Sequence, residues 1–453
     1  MSDFLINYEH KNRELDSICL IKVELEARGY SVELSCTYDT ERTKPNPARR
    51  KAKVVVTSAL YNDGSLDFFV FGLAGFCKKI VNLQWEQALS NRDEENLSLF
   101  LNPKGLARNA LHLCWGPATR NRLINSGLNS RNVVTTGPIQ MDTLRPEFDD
   151  LFLSRHELAQ RYNLDFKLEW VLFISSFTYI TMTEEEYSGE LKVLGPSLND
   201  FLELSSISKD GILSWIDEAA VKYPDKIFIY RPHPSENNDP AISELEIKHS
   251  NFRSIGELSI KQWIKSSDKL LSWYSTSAAE IYFANKNFHV LRPVPLPFEL
   301  DVSIYRNAKV INNVSDFISE LDSNNSNYPL SSDVITQYFQ VNPARPTFKI
   351  VCDYLVSVLE TNEYDMPKYS LIYICKRQLR MRFYSAAYYG KLILSKLNYK
   401  AILFWSPYLI SRVEHQVAVL ARLEADRSKN QASLDELRSI EAKLLQVLSK
   451  ASF

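Results

Sequence analysis

Residues Ile227–Glu236 read IFIYRPHPSE, directly after a helix-patterned run that closes in KYPDK. Four β-favouring residues lead into Arg231, and His233 then stands between Pro232 and Pro234. Each proline fixes φ and removes a backbone donor, so the strand ladder ends here. The residue before a proline is pushed to an extended conformation, which presents the imidazole in a defined direction. A buried strand ending on a titratable ring in a polar loop is the pattern of a doubly wound α/β sheet. Ligands of such sheets lie beyond the carboxyl ends of the strands.

The surrounding sequence repeats the theme. WVLFISSF (from Trp170) reads as a buried strand, ILSWIDEAAVKY as a helix and SIKQWIKSSD as another helix. KLLSWYSTS is a strand running into a helix at AAEIYFA, and FHVLRPVPLP is a further strand. Towards the N-terminus, ELDSICLIKVELEARGY has helical apolar spacing and SVELSC is a short strand. AKVVVTSAL, KKIVNLQWE, LHLCWG and NVVTTG are strand-like runs ending in polar loops. Strands alternating with helices predict two parallel sheets covered on both faces. The expected organisation is an N-terminal Rossmann-like domain over 1–150 and a second over 151–345, facing a cleft. DDLFLSRHELAQRYNLD reads as the linker helix between them.

Beyond about Thr347 the composition changes. KYSLIYICKRQLRMRFYSAAYYGKLILSKLNYKAILFWSPYL is dense in Lys, Arg, Tyr and Leu and holds no Asp or Glu. Such a surface fits anionic lipid, or a basic helical flank packed on the domains. Two amphipathic helices follow, with Leu420, Leu423, Leu434, Leu437, Leu444 and Leu448 near helical spacing. They predict a helical hairpin or self-association over the last part of a 346–453 extension.

The totals agree with this division. A chain of 453 residues is too long for a single core. Its 45% hydrophobic and 12% aromatic residues describe a globular protein. A net charge of −2 gives no global argument for nucleic acid. Six scattered cysteines without a CxxC pair are poor for zinc and fit reduced thiols in a cytosol. The N-terminus shows no basic start followed by an apolar run, so no secretory signal is expected. No run reaches about 18 apolar residues, the length of a membrane span.

Three stretches can carry chemistry. In RPHPSE, His233 can donate to a phosphate, with Arg231, Ser235 and Glu236 around it. An isolated His-Pro pair ordinarily caps a turn; the strand end and its polar neighbours favour a functional role. In SWYSTSAAE, Ser275, Thr276 and Ser277 precede a helix, so hydroxyls and amides could meet an anion, although plain N-capping uses the same residues. In LYNDGSLDFF, Asp63 is either a tight-turn residue or a general base, and Glu86 in NLQWEQ is its rival. GxGxxG, the Walker loop and GxSxG are all absent, as is an acidic pair for a metal–diphosphate. A metal-independent transferase of nucleotide-activated groups remains.

EHKNRELDS, WG…VVTTG…MDTLRPEF, FISSF and YRPHPSE together resemble a family of bacterial surface-carbohydrate biosynthesis proteins. The resemblance runs from about Glu9 to Pro297 and implies a GT-B glycosyltransferase related to enzymes using CMP-activated ulosonic acids such as Kdo and sialic acids. In bacterial sialyltransferases an Asp-Gly motif supplies the base, a His-Pro motif holds the CMP phosphate and a Ser-rich turn assists. NDGS resembles the first, with Asn62 where an acidic residue is common; RPHPSE resembles the second and SWYSTS the third. In Kdo-transferring relatives a carboxylate attacks the donor instead, and Asp63, Glu86 and Asp142 are candidates for that nucleophile.

The resemblance implies no cofactor beyond the CMP-activated sugar as donor substrate, and a lipid-linked glycan (O-antigen or capsule) as acceptor. The expected place is cytoplasmic, peripheral on the inner membrane, with possible homo-oligomers. Transfer from a CDP-glycerol or CDP-ribitol donor is the alternative chemistry. A non-catalytic scaffold pairing through the C-terminal helices is the alternative of another class.

Overall fold

The computed structural model describes residues 1–39, 51–184, 187–188, 191, 197–323, 328–397 and 406–451. The chain forms two compact units. Unit 1 comprises residues 1–87, 97–142 and 340–453, and unit 2 comprises 88–96 and 143–339. The chain thus leaves unit 1 near Asp142, builds unit 2, and returns at Gln340.

Unit 1 holds a six-stranded parallel sheet of β1 (Ser2–Tyr8), β2 (Val32–Cys36), β3 (Ala52–Thr57), β4 (Lys79–Asn82), β5 (Leu111–Cys114) and β6 (Val133–Thr135). The order is β2-β1-β3-β4-β5-β6, so the winding reverses between β1 and β3. β1 was not anticipated from sequence. Its run SDFLINY is interrupted by Asp3 and Asn7, and what makes it a strand is pairing on both sides, with Ile6 opposite Leu34 and Val56.

Helix Lys11–Ala27 follows β1 and is buried almost all round. It packs against the later helices Thr347–Glu360 and Leu434–Lys450, so an apolar pattern without a clear polar face is what its setting requires. Lys11 pairs with Glu436 at 3.0 Å and Lys22 with Glu441 at 3.0 Å. The last helix is therefore docked on helix 11–27. Helix Pro407–Asn430 lies instead along helix Leu371–Lys396, where Tyr388 donates to Glu424 at 3.1 Å.

Unit 2 holds a second six-stranded parallel sheet of β7 (Glu169–Ile174), β8 (Lys226–Arg231), β9 (Phe252–Ser254), β10 (Lys269–Ser272), β11 (Asn287–Leu291) and β12 (Val310–Ile311). Its order, β12-β11-β10-β7-β8-β9, reverses between β7 and β10. That is the dinucleotide-fold order read from its central strand outward. Its core stacks Phe173, Phe177, Phe201, Tyr230 and Trp273, with the Phe177 and Trp273 ring centroids 4.9 Å apart. Two doubly wound parallel units with added C-terminal helices are the GT-B components expected from the sequence.

All six cysteines are free, and only Cys375 is exposed. Among the described residues, no helix is long and apolar enough to cross a membrane.

Candidate functional site

In an open parallel sheet the crevice for a ligand opens at the carboxyl ends of the strands where the winding reverses. In unit 2 that point lies between β7 and β10. Ser175 and Ser176 follow β7, Ser275–Ser277 lie just past β10, and the His233 turn follows the neighbouring β8. β8 and β10 both pair with β7, so their ends stand about 10 Å apart at ordinary strand spacing.

The His233 turn is held from below by Glu236. The carboxylate accepts the Tyr230 hydroxyl at 2.6 Å, the Ser175 hydroxyl at 2.7 Å and the His233 amide at 3.1 Å. Tyr230 and Ser175 are buried at the ends of β8 and β7, so this network ties the turn to two adjacent strands. Burial and the Glu236 charge beside it push the Tyr230 phenol well above its ordinary pKa, which keeps it a donor. Ser235 donates its backbone N–H to His233 Nδ1 at 3.2 Å. With Nδ1 accepting, the neutral ring carries its proton on Nε2. The imidazole is exposed. His233 is thus positioned as an N–H donor, and Glu236 is the group that positions it.

Arg231 does not share that face. Its guanidinium is buried and donates to the carbonyls of Ile255, at 3.0 Å, Glu257 and Leu258. Burial pulls its pKa down to about 10. The residue expected to neutralise a phosphate instead fastens the loop after β9.

The serine turn also differs from expectation in one respect. Ser275 accepts the Ser277 amide on its hydroxyl at 3.2 Å, and the amides of Ala278 and Ala279 donate to the Ser275 and Thr276 carbonyls at 3.2 and 3.1 Å. The helix that follows, Ala278–Phe283, is a single short piece. Its amides close the turn on itself, so the turn offers the exposed Thr276 and half-buried Ser277 hydroxyls, without a crown of backbone N–H groups. Ser176, in the FISSF stretch, was not singled out from sequence as a site residue. Its hydroxyl oxygen is buried at the point of winding reversal without a hydrogen-bond partner among the described residues. The signal was present: a second serine ending the strand that becomes central.

In unit 1 the candidate carboxylates take different settings. Asp142 is fully buried and accepts the amides of Thr347 at 2.9 Å and Phe348 at 2.6 Å, so it caps helix 347–360. Both of its oxygens are aimed at that helix end, a geometry for structure and not for attack on a donor. Gly137 (φ +92) lies nearby, where an added Cβ would come within 2.4 Å of the Gln340 carbonyl oxygen. Asp63 opens a short helix, Asp63–Leu66, that Asn62 and Ser65 close as a capping box. One Asp63 oxygen accepts the Leu106 amide at 3.3 Å, where Gly105 (φ +60) allows the backbone to approach. Asp63 is otherwise exposed.

Glu86, past β4, is 56% exposed and lies 3.6 Å from Arg13. Glu9 and His10 follow β1, at the point where the winding of this sheet reverses. The buried Glu14 carboxylate accepts the Glu9 amide at 2.8 Å and the His10 amide at 3.3 Å and also pairs with Arg13 at 2.9 Å. Burial, then the Glu14 charge, raise the Glu9 carboxyl to about 7, and Glu86 adds to the same push. Burial, with Arg13 beside it, pulls His10 down to about 4, so its ring is neutral at physiological pH. Glu9 and Glu86 therefore share one electrostatic cluster. Glu9 escaped the sequence reading because β1 itself did.

Among the described residues no group of three or more His, Cys, Asp or Glu side chains could hold a metal ion.

No protein-family model matches the sequence, and no curated protein matches it. Among solved structures, the chain is similar to S. aureus MnaA with UDP, at a TM-score of 0.48 and 14% identity over 82% of this chain and 100% of that one. It is similar to the Neisseria meningitidis UDP-GlcNAc 2-epimerase bound to UDP-GlcNAc, at 0.46 and 14% over 78% and 99%. It is also similar to the wall teichoic acid polymerase TagF soaked with CDPG, at 0.47 and 12% over 79% and 89%.

Proposed function

We propose that the chain is a GT-B enzyme of bacterial surface-carbohydrate assembly, and that it transfers an ulosonic acid of the Kdo or sialic type from a CMP donor to a surface glycan. The observation that supports this best is the His233 ring, fixed as an Nε2–H donor at the end of β8, next to the strand at which the unit 2 sheet reverses its winding. Departure of CMP from the sugar places new negative charge on a phosphate oxygen, and preorganised donors stabilise that charge most where it develops. His233, Ser176, Thr276 and Ser277 fill this role in the proposal; Ser235 and Glu236 hold the ring, and Arg231 supports the loop behind it. On unit 1, Glu9 joins Asp63 and Glu86 as a group able to take the proton of an acceptor hydroxyl, its raised pKa suiting a base near neutrality.

The test is CMP release with CMP-Kdo, CMP-sialic acids and CDP-glycerol supplied separately. Release from a CMP-sugar that falls about 10²–10³-fold in His233→Ala is the expected result, the loss typical of one oxyanion donor. Release from CDP-glycerol alone would transfer the same phosphate site to a phosphotransferase. Full turnover in His233→Ala would remove the site from the chemistry.

A further inference from the structure

Helix Leu371–Lys396 carries a stripe of exposed apolar residues as well as a buried side. Arg377 is buried on its inner side, in an ion pair with the buried Asp67, and donates to the Asp63 carbonyl. Met381 is buried one turn on, and Tyr373 stacks on Tyr369 with centroids 5.8 Å apart. These contacts fix which side of the helix faces away from unit 1.

That outward side carries Ile372, Leu379, Phe383, Ala386, Ile393 and Leu397. Their steps of seven, four, three, seven and four residues return each time to one stripe of an α-helix. The large ones among them are 48–72% exposed. An exposed stripe of this kind needs a partner that accepts hydrocarbon. Lys376 and Arg380 flank it on one side, Arg382 and Lys396 on the other, and all four are exposed. From Met366 to Val413 the sequence contains no Asp or Glu; the acids against the helix, Asp67 and Glu424, meet Arg377, Arg380 and Tyr388.

We infer that helix 371–396 docks unit 1 on an anionic lipid surface, lying in the interface with its apolar stripe among the acyl chains and its lysines and arginines at the headgroups. Apolar side chains between two rows of cations match the layered chemistry of such a surface. The helix lies on the membrane, because no described helix is long and apolar enough to cross one. This docking is independent of which donor unit 2 takes.

The experiment is flotation of the full chain with phosphatidylcholine vesicles, with and without about one-third phosphatidylglycerol. The wild type is expected to float with the anionic vesicles only, and to be released by high salt. Replacing Lys376→Gln, Arg382→Gln and Lys396→Gln together should weaken binding about 100-fold, since each cation near the surface is worth roughly fivefold. Leu379→Ser with Phe383→Ser should weaken it at least about 30-fold. All five positions are exposed, and unchanged circular dichroism melting would show that the fold is intact. Failure of the wild type to float with anionic vesicles overturns the inference, as does equal binding by both variants. A wild-type dimer that Phe383→Ser converts to monomer, with vesicles ignored, would assign the stripe to a second copy and overturn it too.

Discussion

Truncating Glu236 to Ala removes the acceptor of three hydrogen bonds at once: those from the Tyr230 hydroxyl at 2.6 Å, the Ser175 hydroxyl at 2.7 Å and the His233 amide at 3.1 Å. A hydrogen bond to a charged partner contributes about 1.5–3 kcal/mol. The losses do not simply add, because Tyr230 and Ser175 stand 2.8 Å apart and can bond to each other once the carboxylate is gone. The net cost expected is about 3 kcal/mol. For a unit of roughly 200 residues that lowers the melting temperature by roughly 6–12 °C. Glu236→Gln keeps the shape and one acceptor, and should cost only about 1 kcal/mol. The His233 turn also loses its tether to β7 in Glu236→Ala, so CMP affinity should fall by about tenfold, or 1.4 kcal/mol. Differential scanning calorimetry with and without CMP reads both effects. An Ala variant that melts with the wild type, or that binds CMP as tightly while His233→Ala does not, would refute the view that Glu236 positions the ring.

Two further predictions concern unit 1. Asp142→Ala should destabilise the unit by about 2 kcal/mol or more, through loss of a buried cap. Urea unfolding with tyrosine and tryptophan fluorescence checks this, and a variant that stays folded should keep its rate of CMP release. The Glu9 carboxyl, raised from 4.5 to about 7, binds its proton more tightly folded than unfolded. Between those values the native state holds more protons, so stability should decline as pH rises from 4.5 to about 7 and level off above it. Denaturant midpoints across that window should lose the corresponding slope in Glu9→Gln, and an unchanged slope would place the titration elsewhere.

Much of this architecture could be read from the residues. Strands such as VVV at 54–56 and VLFI at 171–174 are short, apolar and closed by polar loops, and little else in a globular chain looks like that. The strand β1 could not be read so easily. Asp3 sits at its edge paired with Lys53 at 2.7 Å, and Asn7 satisfies the Ser58 amide at 2.9 Å and the Phe69 carbonyl at 2.6 Å. Its polar residues have partners far along the chain, invisible locally, and with β1 went Glu9. Asp142 shows the same limit, because the helix it caps begins 205 residues later. Arg231 stands two residues from His233, yet the strand turns its guanidinium towards the loop after β9. The serine turn lies between β10 and helix 278–283, and nothing local in the sequence reveals that its amides bond within the turn.

The path of the chain has a consequence for synthesis. A ribosome delivers the whole of unit 2, residues 88–96 and 143–339, before it delivers the residues that finish unit 1. Until Thr347 and Phe348 emerge, the Asp142 carboxylate has no helix end to cap, and the buried helix 11–27 lacks the two helices that cover it. Nascent unit 1 should therefore stay sensitive to protease and attractive to chaperones while unit 2 is already compact. The order in which the two become resistant is opposite to the order in which they begin.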